Sequence, residues 1–120
     1  MDAVKRFDAA TEILTEEGCY IVELSNGADD DGCSIARARV APGITTKLHL
    51  LRGTIERYVV IEGEGRVEVG DAPPRIVRQF DVVVIPPGVT QRIANTGRGD
   101  LVFLCVCTPR FMPGNYIQRE

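Results

Sequence analysis

From Cys33 onward the chain is cut at short intervals by turn-forming residues, and this constrains its fold more than any other feature. Pro42-Gly43, Gly53, Glu62-Gly63-Glu64-Gly65, Gly70 to Pro74, Pro86-Pro87-Gly88 and Thr96 to Asp100 all break the backbone. The intervals between them are too short for helices and are rich in Val and Ile. They read as Cys33 to Ala41, Thr45 to Leu51, Ile55 to Ile61, Arg66 to Val69, Arg75 to Arg78, Val82 to Ile85, Val89 to Asn95 and Leu101 to Cys107. With Cys19 to Leu24 this makes about nine strands, with turns every eight to twelve residues, and an all-β barrel or jelly roll follows. From Thr108, Pro109 and Pro113 keep the tail from being regular strand.

Before the first of these strands the chain is less patterned. Asp8 is placed to cap a short helical piece from Ala9 to Leu14. Ser25 to Gly32 is a loop, and its aspartates lack the spacing of a calcium loop. The 120 residues suit one domain spanning 1–120, with the barrel at about 19–108 and arms on either side. Net charge is -3 with acids and bases interleaved, so no basic face is offered to nucleic acid. There is no long apolar run for a membrane and no signal-like N-terminus, so the expected compartment is the cytoplasm. Cys19, Cys33, Cys105 and Cys107 are expected as free thiols. Cys105 and Cys107 would sit about 6.6 Å apart on one face of a strand, too far for a comfortable bridge.

Alternation assigns side chains to faces. His49, the one histidine, points with Leu51 and away from Leu48 and Leu50. Glu56 shares a face with Tyr58 and Val60, and Gln91 with Ile93 and Asn95. If these faces all turn inward, an imidazole, a carboxylate and a carboxamide meet among Leu51, Tyr58, Val60 and Ile93. A mostly apolar wall with a few placed polar groups is the usual make-up of a small-molecule pocket. Leu101 to Val106 and Val82 to Ile85 are apolar enough for a core or for a sheet contact between two copies.

These residues resemble the two motifs of the cupin superfamily. Gly43, five residues, His49, one residue, Leu51, four residues, Glu56, six residues and Gly63 resemble G-x5-H-x-H-x3–4-E-x6-G. Phe80, five residues, Pro86-Pro87-Gly88, two residues, Gln91, three residues and Asn95 resemble G-x5-P-x-G-x2-H-x3-N. The resemblance implies a cupin-like antiparallel β-barrel (a double-stranded β-helix), often a homodimer, holding a divalent metal. Carried over residue by residue, the ligands are His49, Glu56 and Gln91, with zinc, iron, manganese or nickel left open. Leu51 and Gln91 stand where the pattern has histidines, and Phe80 where it has glycine.

Two functions are compatible with this reading. One is a metal-dependent enzyme of dioxygenase, isomerase or cyclase type, acting on a small hydrophobic or carboxylated metabolite. The other is a metal-free barrel that binds or senses a ligand through the same pocket. A third, less favoured, is an acid–base enzyme built on His49 and Glu56.

Overall fold

The computed structural model describes residues 2–120. Among these are eleven strands: β1 Ile13–Leu14, β2 Tyr20–Ser25, β3 Ser34–Val40, β4 His49–Leu51, β5 Ile55–Glu62, β6 Gly65–Val69, β7 Arg75–Val77, β8 Val82–Ile85, β9 Gln91–Asn95, β10 Leu101–Thr108 and β11 Tyr116–Gln118. They form a six-stranded sheet, β1-β2-β3-β10-β5-β8, and a five-stranded sheet, β11-β4-β9-β6-β7. All pairings are antiparallel. The expected all-β jelly roll is the architecture found, and the turns fall where Gly and Pro stand.

Three local expectations change. Asp8 does cap a helical turn, accepting from the Ala10 N–H at 3.0 Å, but that turn is a 3-10 turn covering only Ala9–Thr11. So short a piece cannot sustain a helix alone, and Ile13 and Leu14 instead pair with Ile21 and Tyr20. The strand expected from Thr45 is regular only over His49–Leu51. Before it, Thr45 bridges Ala94, and the Thr46 N–H donates to the Ile93 carbonyl at 2.9 Å. Beyond the irregular tail the chain returns as β11, pairing Gln118 with His49 and Tyr116 with Leu51.

The core lies between the sheets. Val40, Val60, Ile93 and Leu101 are fully buried there, with Ile85 almost so. The rings of Tyr58 and Phe103 meet at 4.5 Å. Alternation is clean along β5, where Glu56, Tyr58 and Val60 are buried and their neighbours less so. On β8, Val83 and Ile85 point inward while Val82 and Val84 are exposed on an edge strand.

Several motif residues hold the backbone rather than a ligand. Asn95 donates to the Val40 and Gly99 carbonyls at 2.8 Å and accepts from the Gly97 N–H at 2.9 Å, which pins the loop before β10. Gly63 has φ +87°, and a Cβ there would lie 2.6 Å from the Asp100 carbonyl oxygen, so only glycine fits. Phe80 takes the same left-handed region at φ 69°, as no other non-glycine does among the described residues.

Candidate functional site

A cavity of about 630 Å³ opens between the sheets, with residues of both arms on its wall. Four strands reach it with residues two apart: Ile21 and Glu23 on β2, Ser34 and Ala36 on β3, His49 and Leu51 on β4, Cys105 and Cys107 on β10. Strand β5 adds Glu56. The N-terminal arm supplies Glu16 and Glu17, and the C-terminal arm Phe111 and Tyr116.

His49 is 5% exposed and is held at both ring nitrogens. Nδ1 lies 2.8 Å from the Lys47 carbonyl oxygen and Nε2 lies 3.1 Å from Glu17 Oε2. Both neighbours carry acceptor oxygens, one at each ring nitrogen. Tyr116 stacks on the imidazole at 5.1 Å and 24°. Glu17 also accepts from the Cys19 thiol at 2.8 Å.

The turn that delivers Glu17 has a clear local cause. Gly18 sits at φ +97°, closing a turn in which its N–H donates to the Thr15 carbonyl at 3.1 Å. The Lys47 N–H then donates to the Glu17 carbonyl at 2.8 Å, which ties this turn beside β4. Glu17 and Tyr116 were both missed in the sequence. Glu17 lies in a polar run with no period, and its one signal is the Gly18 that follows it. Tyr116 follows a stretch unsuited to strand.

Glu56 is 8% exposed, and its Oε1 has no partner in the protein. Burial pushes its carboxyl up to about 7, and the Glu17 charge adds to this, while Gln91, Cys105 and Cys107 pull it back. The Cys107 thiol reaches Oε2 only at 3.9 Å. Although the Gln91 amide acts on Glu56, neither Gln91 Nε2 nor Glu56 Oε1 completes a hydrogen bond. Burial likewise raises the Cys107 thiol to about 12 and takes Cys105 well above its ordinary value, so neither thiol is a ready nucleophile. All four cysteines are free.

The remaining expected pocket residues lie elsewhere. Tyr58, Val60 and Ile93 pack in the buried core cluster with Phe103 and Leu101 and do not line the cavity. Gln91 is wholly buried there too, and its Oε1 accepts from the Tyr58 hydroxyl.

As arranged, His49, Glu56 and Gln91 do not make a metal donor set. The imidazole Nε2 is turned to Glu17, and the carboxamide oxygen is taken by Tyr58. Metal ligands must offer free, deprotonated lone pairs. Among the described residues, no three His, Cys, Asp or Glu side chains gather as a metal would require. The site consists of a clamped imidazole, the buried carboxyl of Glu56 and the partly buried one of Glu17 around a largely apolar hollow.

Two antiparallel sheets folded over an internal cavity define a small double-stranded β-helix barrel. The Cupin domain family profile matches residues 36–107, and the chain belongs to the cupin family. It is 31% identical over 107 residues to the uncharacterized protein MJ1618 of Methanocaldococcus jannaschii, covering 88% of this chain and 85% of that one. Among solved structures, it is similar to an uncharacterized double-stranded β-helix protein of Klebsiella pneumoniae. There the TM-score is 0.72 at 16% identity, over 97% of this chain and 90% of that one. It is also similar to a variant of Streptomyces PAC13 solved with uridine. That TM-score is 0.83 at 12% identity, over 100% of this chain and 92% of that one.

Proposed function

We propose that this cupin binds a small organic molecule in the barrel cavity by hydrogen bonding and charge, with no metal between protein and ligand. The observation that carries the reading is Glu56. Its carboxyl is buried on the cavity wall and leaves Oε1 without a protein partner. An unpartnered buried polar atom costs about 1–3 kcal/mol, and the carboxyl that carries it belongs to a residue of the cavity wall. The cavity's volume falls within the range that takes a metabolite. PAC13, of the same fold, was solved with uridine, which makes a nucleoside a sensible uncharged probe.

A thermal-shift screen of metabolites in EDTA tests this. Saturable stabilisation that EDTA leaves unchanged is expected. Stabilisation by a divalent ion that EDTA reverses would contradict it.

A second reading, turnover of the bound molecule by proton transfer, is favoured by the His49–Glu17 contact at 3.1 Å. With Nδ1 on the Lys47 carbonyl and Nε2 on Glu17, the substrate would have to displace Glu17 from Nε2 before that nitrogen exchanged a proton with it. The pair differs from the expected His49–Glu56 dyad. Product formation from a stabilising metabolite, lost in His49→Gln with binding retained, is the expected result.

A further inference from the structure

The cavity's charge is one-sided. Glu16, Glu17, Glu23 and Glu56 line it, and no lysine or arginine does. Three of the arginines adjoining wall residues in sequence are engaged elsewhere: Arg37 with Glu12, Arg57 with Thr108 Oγ1, and Arg110 with Asp31. Inside, His49 answers Glu17, while Glu56 has no cationic partner. Four carboxyls alone would say little, since acidic residues often do no more than face water. Glu56 differs because it lines the cavity while more than nine-tenths buried, and one of its carboxyl oxygens completes no hydrogen bond within the protein. A buried carboxylate without a counter-charge is costly, and a cation placed against it relieves that cost.

The rest of the wall is apolar. Ile13, Ile21, Leu51 and Phe111 offer hydrocarbon and aromatic surface around the carboxyls. Such a wall suits a ligand with one charged end and an apolar body.

We infer that the ligand is an organic monocation, an ammonium carried on an apolar body, seated with its N–H donors on Glu56. This rests on the reading above that the cavity binds a small molecule. It also replaces the expected carboxylated metabolite, because a fifth carboxylate among these four would be repelled.

The test titrates the intact protein calorimetrically, in EDTA, with three molecules of one shape: 2-phenylethylamine, 2-phenylethanol and 3-phenylpropanoate. The amine is expected to bind about tenfold tighter than the alcohol, as a charge-assisted hydrogen bond to a buried carboxylate would give. The propanoate is expected not to bind. Glu56→Gln, with its fold checked by circular dichroism, should abolish the amine's advantage over the alcohol. An alcohol as tight as the amine, an amine affinity untouched by Glu56→Gln, or no binding by any of the three overturns the inference. If uridine or the alcohol still gives a saturable, EDTA-insensitive shift, only the ligand class falls. If no molecule in the wider screen does, the binding reading falls with it.

Discussion

His49 Nε2 lies 3.1 Å from Glu17 Oε2, so the imidazole's partner comes from the N-terminal arm and not from Glu56 on β5. The pair ties an arm to the barrel while facing the cavity. Glu17 keeps some solvent contact, so the interaction is discounted relative to a wholly buried one. A double-mutant cycle with Glu17→Ala and His49→Ala, measured by urea unfolding, should give a coupling of about 1–2 kcal/mol. A coupling near zero would mean the contact stabilises nothing.

The pH dependence of stability should carry Glu56's signature. Its folded pKa of about 7 lies above its ordinary value of 4.5, so the folded state holds the extra proton between the two. Below pH 4.5 both states are protonated and burial of Glu56 adds no ionisation cost. That cost grows as pH rises through the window and is complete above about 7. It amounts to about 3 kcal/mol. Glu56→Gln should therefore be more stable than wild type above pH 7, with the advantage shrinking toward pH 4.5. Unfolding curves at pH 5 and pH 8 check this, and an equal or larger advantage at pH 5 would contradict it.

Ile93 separates core from pocket. It is fully buried in the cluster with Val60, Leu101 and Phe103, away from the cavity wall. Ile93→Ala should cost about 2–5 kcal/mol of stability. Ligand affinity, measured where the variant is still folded, should be unchanged. Lost affinity at near-normal stability would put Ile93 back in the pocket.

Much of this was legible in the sequence, for identifiable reasons. Turn residues set the strand limits, and alternation on β5 placed Glu56, Tyr58 and Val60 on one inward face. Alternation reports the face of a sheet, however, and not depth along the barrel. Glu56 reaches the cavity while Tyr58 and Val60, two and four residues on, pack in the core cluster and do not line it. Gln91 illustrates the same limit. It pairs with His49 across β4 and β9, yet its side chain lies in the core, committed to Tyr58. Glu17 and Tyr116 come from the two arms, which carry no period to read. Only tertiary hydrogen bonds, such as that from the Lys47 N–H to the Glu17 carbonyl, bring them in.

Phe80 departs from the motif's glycine but keeps the glycine's backbone. At φ 69° a side chain costs about 1–2 kcal/mol, and this ring is 72% exposed, so it recovers little by burial. Phe80→Gly should therefore raise stability by up to about 1 kcal/mol, after allowing for glycine's greater freedom when unfolded. Thermal or urea unfolding reads the change directly, and a loss of similar size would show that the ring contributes packing.

The most direct test of a metal-independent cavity is a calorimetric titration of chelator-stripped protein with zinc, iron(II), manganese and nickel. Because His49 Nε2 faces Glu17 and Gln91 Oε1 faces Tyr58, no stoichiometric, saturable uptake is expected, and His49→Ala should behave as wild type. Binding of one equivalent that is lost in His49→Ala and reversed by EDTA would contradict it.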